Sequence, residues 1–204
     1  MRYSDTHKDE TRKKLLRAAA VALREKGPDK LGVADVMSAA GLTHGGFYAH
    51  FKSKDDLLIA ALGEAFAQGG RRAMRVVDGL PPKHALAHYI DFYVSATHRD
   101  HPENGCPVTA LNSDNPRQSK KFRAAFEAGV KSLAGKLATW ISATGHPDGE
   151  KLAPSILAAM AGAVALSRTI TDGDLSNDLL ATARDGIKTR LGLTELALAN
   201  ETVQ

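Results

Sequence analysis

The chain has 204 residues, 43% of them hydrophobic and 25% charged, which is room for one or two domains with a core and excludes collagen-like, fibrous and disordered classes. Alanine occurs 33 times and leucine 23 times against ten valines and six isoleucines, a composition that predicts an all-α protein. The net charge of +4 lies at one end: residues 1–55 hold 11 Lys/Arg and 7 Asp/Glu, residues 56–204 hold 16 of each, so a basic first quarter suited to a polyanion precedes a neutral body.

In chain order, Leu15, Leu16, Ala19, Ala20 and Leu23 recur at helical spacing, with Arg12, Lys13, Arg17 and Arg24 mainly on the opposite side, and Gly27-Pro28 ends this first helix. Val33, Val36, Met37 and Ala40 predict a second helix of about two turns, broken at Gly41. Thr43 is placed to cap a third, from His44 to His50, anchored by Phe47 and Phe51 at i, i+4. Ser53 caps a fourth, whose apolar face runs through Leu57, Leu58, Ala61, Leu62, Ala65 and Phe66 toward Val77. After the linker Asp78-Gly79-Leu80-Pro81-Pro82, an apolar-periodic segment covers Lys83 to Thr97, and a loop from Arg99 to Pro107 carries the single cysteine, Cys106. A long helix follows Asn115-Pro116 and reaches Thr144, two last helices cover Glu150 to Thr169 and Ser176 to Arg190, and the tail from Glu195 to Gln204 is expected to fray.

The longest uncharged run, Leu152 to Ser167, has 16 residues, short of the roughly 18 a bilayer span needs, and the N-terminus has acids and no apolar stretch of signal type. A lone cysteine forms no internal disulfide, so a reducing, cytoplasmic setting without membrane contact is expected. His84/His88, His98/His101 and Cys106 come with no paired cysteines and no His-Glu-x-x-His pattern, so neither metal nor cofactor is expected. No glycine-flanked elbow marks a nucleophile, and no enzyme is expected. Cys106 reads as a small core residue or, because Gly105 and Pro107 place it at a helix start that lowers a thiol's pKa, as a sensor of oxidants or electrophiles.

Two short helices around Ala39-Ala40-Gly41-Leu42-Thr43 have the form of a helix-turn-helix: small residues where the helices approach, a glycine able to take positive φ, and a cap. A helix N-terminus there offers N–H groups to a phosphate and Thr43 adds a hydroxyl; His44 and the bare backbone of Gly45 and Gly46 enter a major groove, while Tyr48, His50 and Lys54 hold flanking phosphates. Arg2 and Lys8 add backbone or minor-groove contacts if an N-terminal arm orders on DNA.

From Thr11 to Leu62 the sequence resembles the TetR family of bacterial one-component transcriptional regulators. The resemblance is carried by Arg12, Leu15, Ala18-Ala19, Gly27, Val33 and Val36, by Ala40-Gly41-Leu42-Thr43, and by Gly46-Phe47-Tyr48, His50-Phe51, Ser53-Lys54 and Leu57-Leu58. It implies a head at 1–52 that binds double-stranded DNA at a palindromic operator, and a helical body at 53–204 for effector binding and dimerisation. Gly32 and Ala34 stand where members often carry a capping Ser or Thr and a larger polar residue, which leaves base readout to Thr43, His44, Tyr48 and DNA shape. Phe66, Tyr89, Phe92, Tyr93, Phe126 and Trp140 are core by default and the candidate walls of a small-molecule effector pocket. The resemblance implies a homodimer through the last two large helices, where Leu152, Ile156, Ala159, Ala163 and Leu166 form a small-residue stripe. The whole reads as a ligand-released repressor; the alternative is a helical small-molecule-binding protein or enzyme with an incidental helix-turn-helix.

Overall fold

The structure is a computed structural model that describes residues 2–194, without the side chains of residues 2–7 and of His44. Nine α-helices and three 3-10 turns, and no strand, occur among the described residues. In order they are α1 (Arg2–Lys30), α2 (Val33–Ala39), the 3-10 turn His44–Ala49, α3 (Lys54–Val77), α4 (Pro82–Tyr93), α5 (Ala96–Asp100), the turn Pro102–Asn104, α6 (Pro107–Leu111), the turn Asn115–Arg117, α7 (Lys120–Ala143), α8 (Gly149–Ser167) and α9 (Gly173–Arg190). Contacts divide them into two compact units: 1–69 with 102–129, and 70–101 with 130–204. That division differs from the expected one at residue 52, because α3 and α7 each run through both units and a segment distant in sequence joins the first.

In the first unit, α1 already starts at Arg2, so the expected arm is helical without DNA, and the helix breaks at Gly27, whose φ of 79° a residue with a Cβ rarely adopts. Leu15, Ala19, Ala20 and Leu23 are fully buried as the spacing predicts. Arg24 is a correction: it is 2% exposed, not on the solvent face. Its guanidinium donates to the carbonyls of Glu103 (2.7 Å) and Ala65 (3.3 Å) and to Gln68 Oε1 (2.7 Å), which joins α1, α3 and the turn Pro102–Asn104. Ser53 caps α3 through the Asp56 amide at 3.1 Å, as expected.

In the second unit α8 packs on α9, and α9 also packs on α4. Lys188 Nζ lies 2.6 Å from Asp91 Oδ1 and Arg168 donates to the carbonyls of His98 (2.7 Å) and Arg99 (2.9 Å), so the last turn of α4 and α5 are both fastened. By length and composition α8 reaches the size of a membrane span, more than its uncharged run suggested; nine of its residues are buried against the protein.

His98 Nδ1 lies 2.6 Å from the Tyr93 carbonyl and its ring meets Tyr93 edge to face at 4.8 Å. Burial holds its pKa down to about 4; Arg168 and Arg72 push the same way, and the Tyr93 carbonyl opposes them. Between the ordinary value of 6.5 and about 4, the unfolded chain takes up a proton that the folded chain refuses, so stability falls as pH falls through that window. The loss on going from pH 7 to 4 is expected to exceed that of a His98→Asn variant by about 3 kcal/mol in urea titrations. Parallel pH profiles for the two proteins would remove His98 as the source.

Candidate nucleic-acid interface

The helix-turn-helix is built from α2 and the turn His44–Ala49. Gly41 takes φ 74°, and the Leu42 amide donates back to the Met37 carbonyl at 2.9 Å, which closes α2 and aims the chain into the turn. The second element is a 3-10 turn, begun when the Gly46 amide donates to the Thr43 carbonyl at 3.0 Å. Thr43 is extended and its hydroxyl makes no cap bond, a correction to the expected side-chain cap: the main-chain carbonyl starts the turn and the exposed hydroxyl stays outward. Phe47 and Phe51 are 3% and 4% exposed and stack at 5.8 Å, so the pair is the predicted anchor.

That anchor fixes what faces outward. Tyr48 is 75% exposed, held edge-on to Phe47 at 5.2 Å, and Gly45 is exposed with open space where a Cβ would sit. The turn therefore presents a phenol, a hydroxyl and bare backbone, and a duplex can approach the main chain closely at Gly45. The side chain of His44 lies outside the described residues. His50 is half-buried, and its pKa is lowered first by burial and then by the Lys8 and Arg12 charges. Arg12 donates to the His50 carbonyl and lies over the Phe51 ring at 4.6 Å, so this arginine braces the turn from α1. Lys54 is exposed, and its ammonium donates to the Asp29 carbonyl at 3.2 Å, with donors remaining for a phosphate. Sequence reasoning missed the bracing roles of Arg12 and Arg24. For Arg24 the signal was its phase, four residues after buried Ala20.

The aromatics divide. Phe66 and Phe126 meet edge to face at 6.0 Å in the first unit, and Tyr89, Tyr93 and Trp140 cluster in the second, with 4.7 Å between the Tyr89 and Trp140 centroids. Phe92 is a correction: 40% exposed, it falls beside exposed His88 on the outer side of α4, because Leu86, Tyr89, Ile90 and Tyr93 already occupy the buried face. A groove of about 490 Å³ between α7 and α8 is lined by other residues, among them Ala138, Ser142 and Pro154.

In the α8 stripe, Ile156 and Ala163 are buried within the protomer, which corrects their assignment to a dimer surface. Ala159 and Leu166 face outward, Leu166 being 58% exposed, and Leu152 is half-buried. Cys106 is half-buried and directly precedes α6, where the sequence places it.

Residues 15–61 match the family model described as bacterial regulatory proteins, tetR family, and residues 82–177 match that of the LmrA/YxaF-like transcriptional regulator C-terminal domain; together they cover well over half the chain. The uncharacterized HTH-type transcriptional regulator YvdT of Bacillus subtilis is 43% identical over 47 residues, which are 23% of this chain and 24% of that protein, so the match spans about a quarter of that relative. Among solved structures, a TetR transcriptional regulator of Chloroflexus aurantiacus superposes with a TM-score of 0.73 at 27% identity, over 94% of this chain and 97% of that one. The E. coli NemR protein in its reduced form gives 0.75 at 18% identity, over 88% and 97%, and shares the fold. The regulator from Cytophaga hutchinsonii gives 0.75 at 24%, over 89% and 94%. With both family parts in chain order and a helix-turn-helix of this geometry inside the first, the chain belongs to the TetR family of bacterial transcriptional regulators.

Proposed function

We propose that the protein acts in the cytoplasm as a homodimeric repressor that holds a palindromic operator and is released by a small-molecule effector. The observation that carries the operator reading is the outward set on the turn, Thr43, Gly45 and Tyr48, fixed from behind by buried Phe47 and Phe51. Thr43, His44 and Tyr48 serve the bases, and Tyr48, His50 and Lys54 serve the phosphates. The head at 1–52 and the body at 53–204 are the functional division. Tyr89, Tyr93 and Trp140 are the aromatic cluster retained for the effector.

Selection of genomic fragments by the purified protein tests the reading. It is expected to enrich a palindromic duplex whose affinity falls steeply with salt, as the phosphate contacts of two heads add. Lys54→Ala is expected to reduce the salt slope by about 1 per head and to weaken all duplexes alike, whereas His44→Ala shifts the preferred bases. Failure to enrich any duplex, together with tight retention or turnover of a metabolite, would favour the alternative of a helical binding protein or enzyme. An unchanged affinity and salt slope for Lys54→Ala would remove it from the phosphate contacts.

One turn of this kind reads too few base pairs for useful specificity, so two heads are needed. The outward residues Ser155, Ala158, Ala159 and Leu166 of α8 and Leu175 of α9, the last 57% exposed, support a helix-to-helix dimer surface. Glutamate at Ala159 or Leu166 is expected to give folded monomers in sedimentation that lose operator binding at least about tenfold. A persistent dimer in both variants would move the interface elsewhere.

A further inference from the structure

The segment 102–129 is part of the same compact unit as the helix-turn-helix, although more than fifty residues separate them in sequence. Its turn Pro102–Asn104 and α6 pack on α1. Leu111 and Phe122 are wholly buried there, which makes the segment a constituent of that unit's core. Where it passes the helix-turn-helix, it makes specific polar contacts at both flanks. Gln118 Nε2 donates to Asp29 Oδ1 at 3.1 Å, four residues before α2 begins at Val33. The Ser119 hydroxyl donates to Asp55 Oδ1 at 2.9 Å, in the first turn of α3. Lys54 Nζ then donates to the Asp29 carbonyl at 3.2 Å, so the two flanks are also joined to each other.

Asp29, Gln118, Ser119, Asp55 and Lys54 thus form a closed circuit of hydrogen bonds and chain neighbours around the base of the helix-turn-helix. A further contact keeps the segment seated: the Asp114 carboxylate, itself bonded to Arg117 at 2.8 Å, lies so close to Gly27 that a Cβ there would come within 3.1 Å of it. Gly27 is the kink that turns the chain out of α1 toward α2, and its φ of 79° already favours glycine.

The geometry points to Gln118 and Ser119 as positioning residues for operator binding: from outside the helix-turn-helix they set the orientation of its two flanks, and with them the pose of the turn that carries Thr43 and Tyr48. Neither touches DNA in this role. Base-edge contacts depend on pose far more than the phosphate field does, so loosening the circuit weakens specific binding and spares the non-specific kind. This inference rests on the operator reading above.

The test uses the full-length protein and two probes: the duplex of about 30 base pairs that wild type enriches, and a scrambled duplex of the same length and composition. The Ser119 hydroxyl also caps α7 by accepting from the Phe122 amide at 3.2 Å, so the Gln118→Ala/Ser119→Ala protein is expected to lower its unfolding midpoint by no more than the loss of one helix cap while keeping its fold and its dimer. It is expected to lose between about three- and tenfold in affinity for the enriched duplex, and less than about twofold for the scrambled one. Adding Asp29→Ala to Gln118→Ala is expected to change the ratio of the two affinities no further, since one bond is already gone, whereas adding Ser119→Ala does. Equal affinity of wild type and the double variant for the enriched duplex overturns the inference, as does an equal loss on both duplexes. If wild type enriches no duplex, the operator reading fails and this inference falls with it; if wild type enriches one and the variants match it, only the positioning role is lost.

Discussion

Replacement of Arg24 by alanine is expected to cost about 3–5 kcal/mol of folding stability, as much as truncating a large core side chain. The side chain is 2% exposed, and its three donor contacts reach the Ala65 carbonyl and the Gln68 amide oxygen on α3 and the Glu103 carbonyl in the turn Pro102–Asn104. A charged donor to a neutral acceptor contributes about 1.5–3 kcal/mol per bond when the partner is otherwise left without one. The three do not sum, because the buried charge itself costs desolvation that its removal gives back. Arg24→Met separates these effects: it keeps the apolar stem and relieves the desolvation, so its cost is expected to be about half that of alanine. Arg24→Lys keeps the charge but cannot span three acceptors from one planar fork, and it is expected to fall nearer to alanine than to wild type. Urea titrations of the three variants decide the matter. Midpoints within the error of wild type for all three would mean that Glu103 and the turn around it are held by packing alone.

The local parts of this molecule were legible in the sequence. The breaks at Gly27 and Gly41, the Phe47/Phe51 anchor and the Ser53 cap depend on residues within a few positions of one another, and each appears where propensity and spacing put it. What escaped was set by contacts distant in sequence or by helices whose apolar pattern points two ways. Nothing within ten residues of Gln118 announces that it will meet Asp29, and so the compact unit that holds the helix-turn-helix extends beyond the segment that carries the motif. In α8, alanines and aliphatics occur all around the helix, so the phase of its packed face was undetermined, and Ile156 and Ala163 went to the wrong side. In α4, three aromatics lie within five positions, and the helical phase admits Tyr89 and Tyr93 to the buried face but not Phe92. The Thr43 hydroxyl is a subtler case: the residue suits a cap, yet the turn it opens is a 3-10 turn begun by its carbonyl.

Gly149→Ala is expected to destabilise the second unit by about 2–4 kcal/mol, although glycine to alanine inside a helix ordinarily stabilises by a fraction of that. Gly149 is the first residue of α8, it is buried, and it rests directly on α7. A Cβ built there would stand 2.7 Å from the Ala138 carbonyl oxygen and 3.1 Å from the Ser142 amide nitrogen, and far inside contact distance of the Ser142 hydroxyl. The hydroxyl can rotate away, but the two main-chain atoms belong to the body of α7 and cannot yield without moving that helix. The added methyl therefore pushes the start of α8 off α7 and loosens the packing that carries Ala153, Ile156 and Leu157 into the core. A second substitution separates steric crowding from helix propensity. In a Ser142→Gly background the hydroxyl is gone but the backbone stays, so Gly149→Ala should recover only a minor part of its cost, and the cycle should show a coupling of no more than about 1 kcal/mol. Gly135→Ala on α7 serves as the contrasting case, since it is exposed with open space around its Cβ position, and it is expected to hold or raise the unfolding midpoint. If Gly149→Ala and Gly135→Ala shift the midpoint alike, the close approach of α8 to the α7 backbone is not what fixes this corner of the unit.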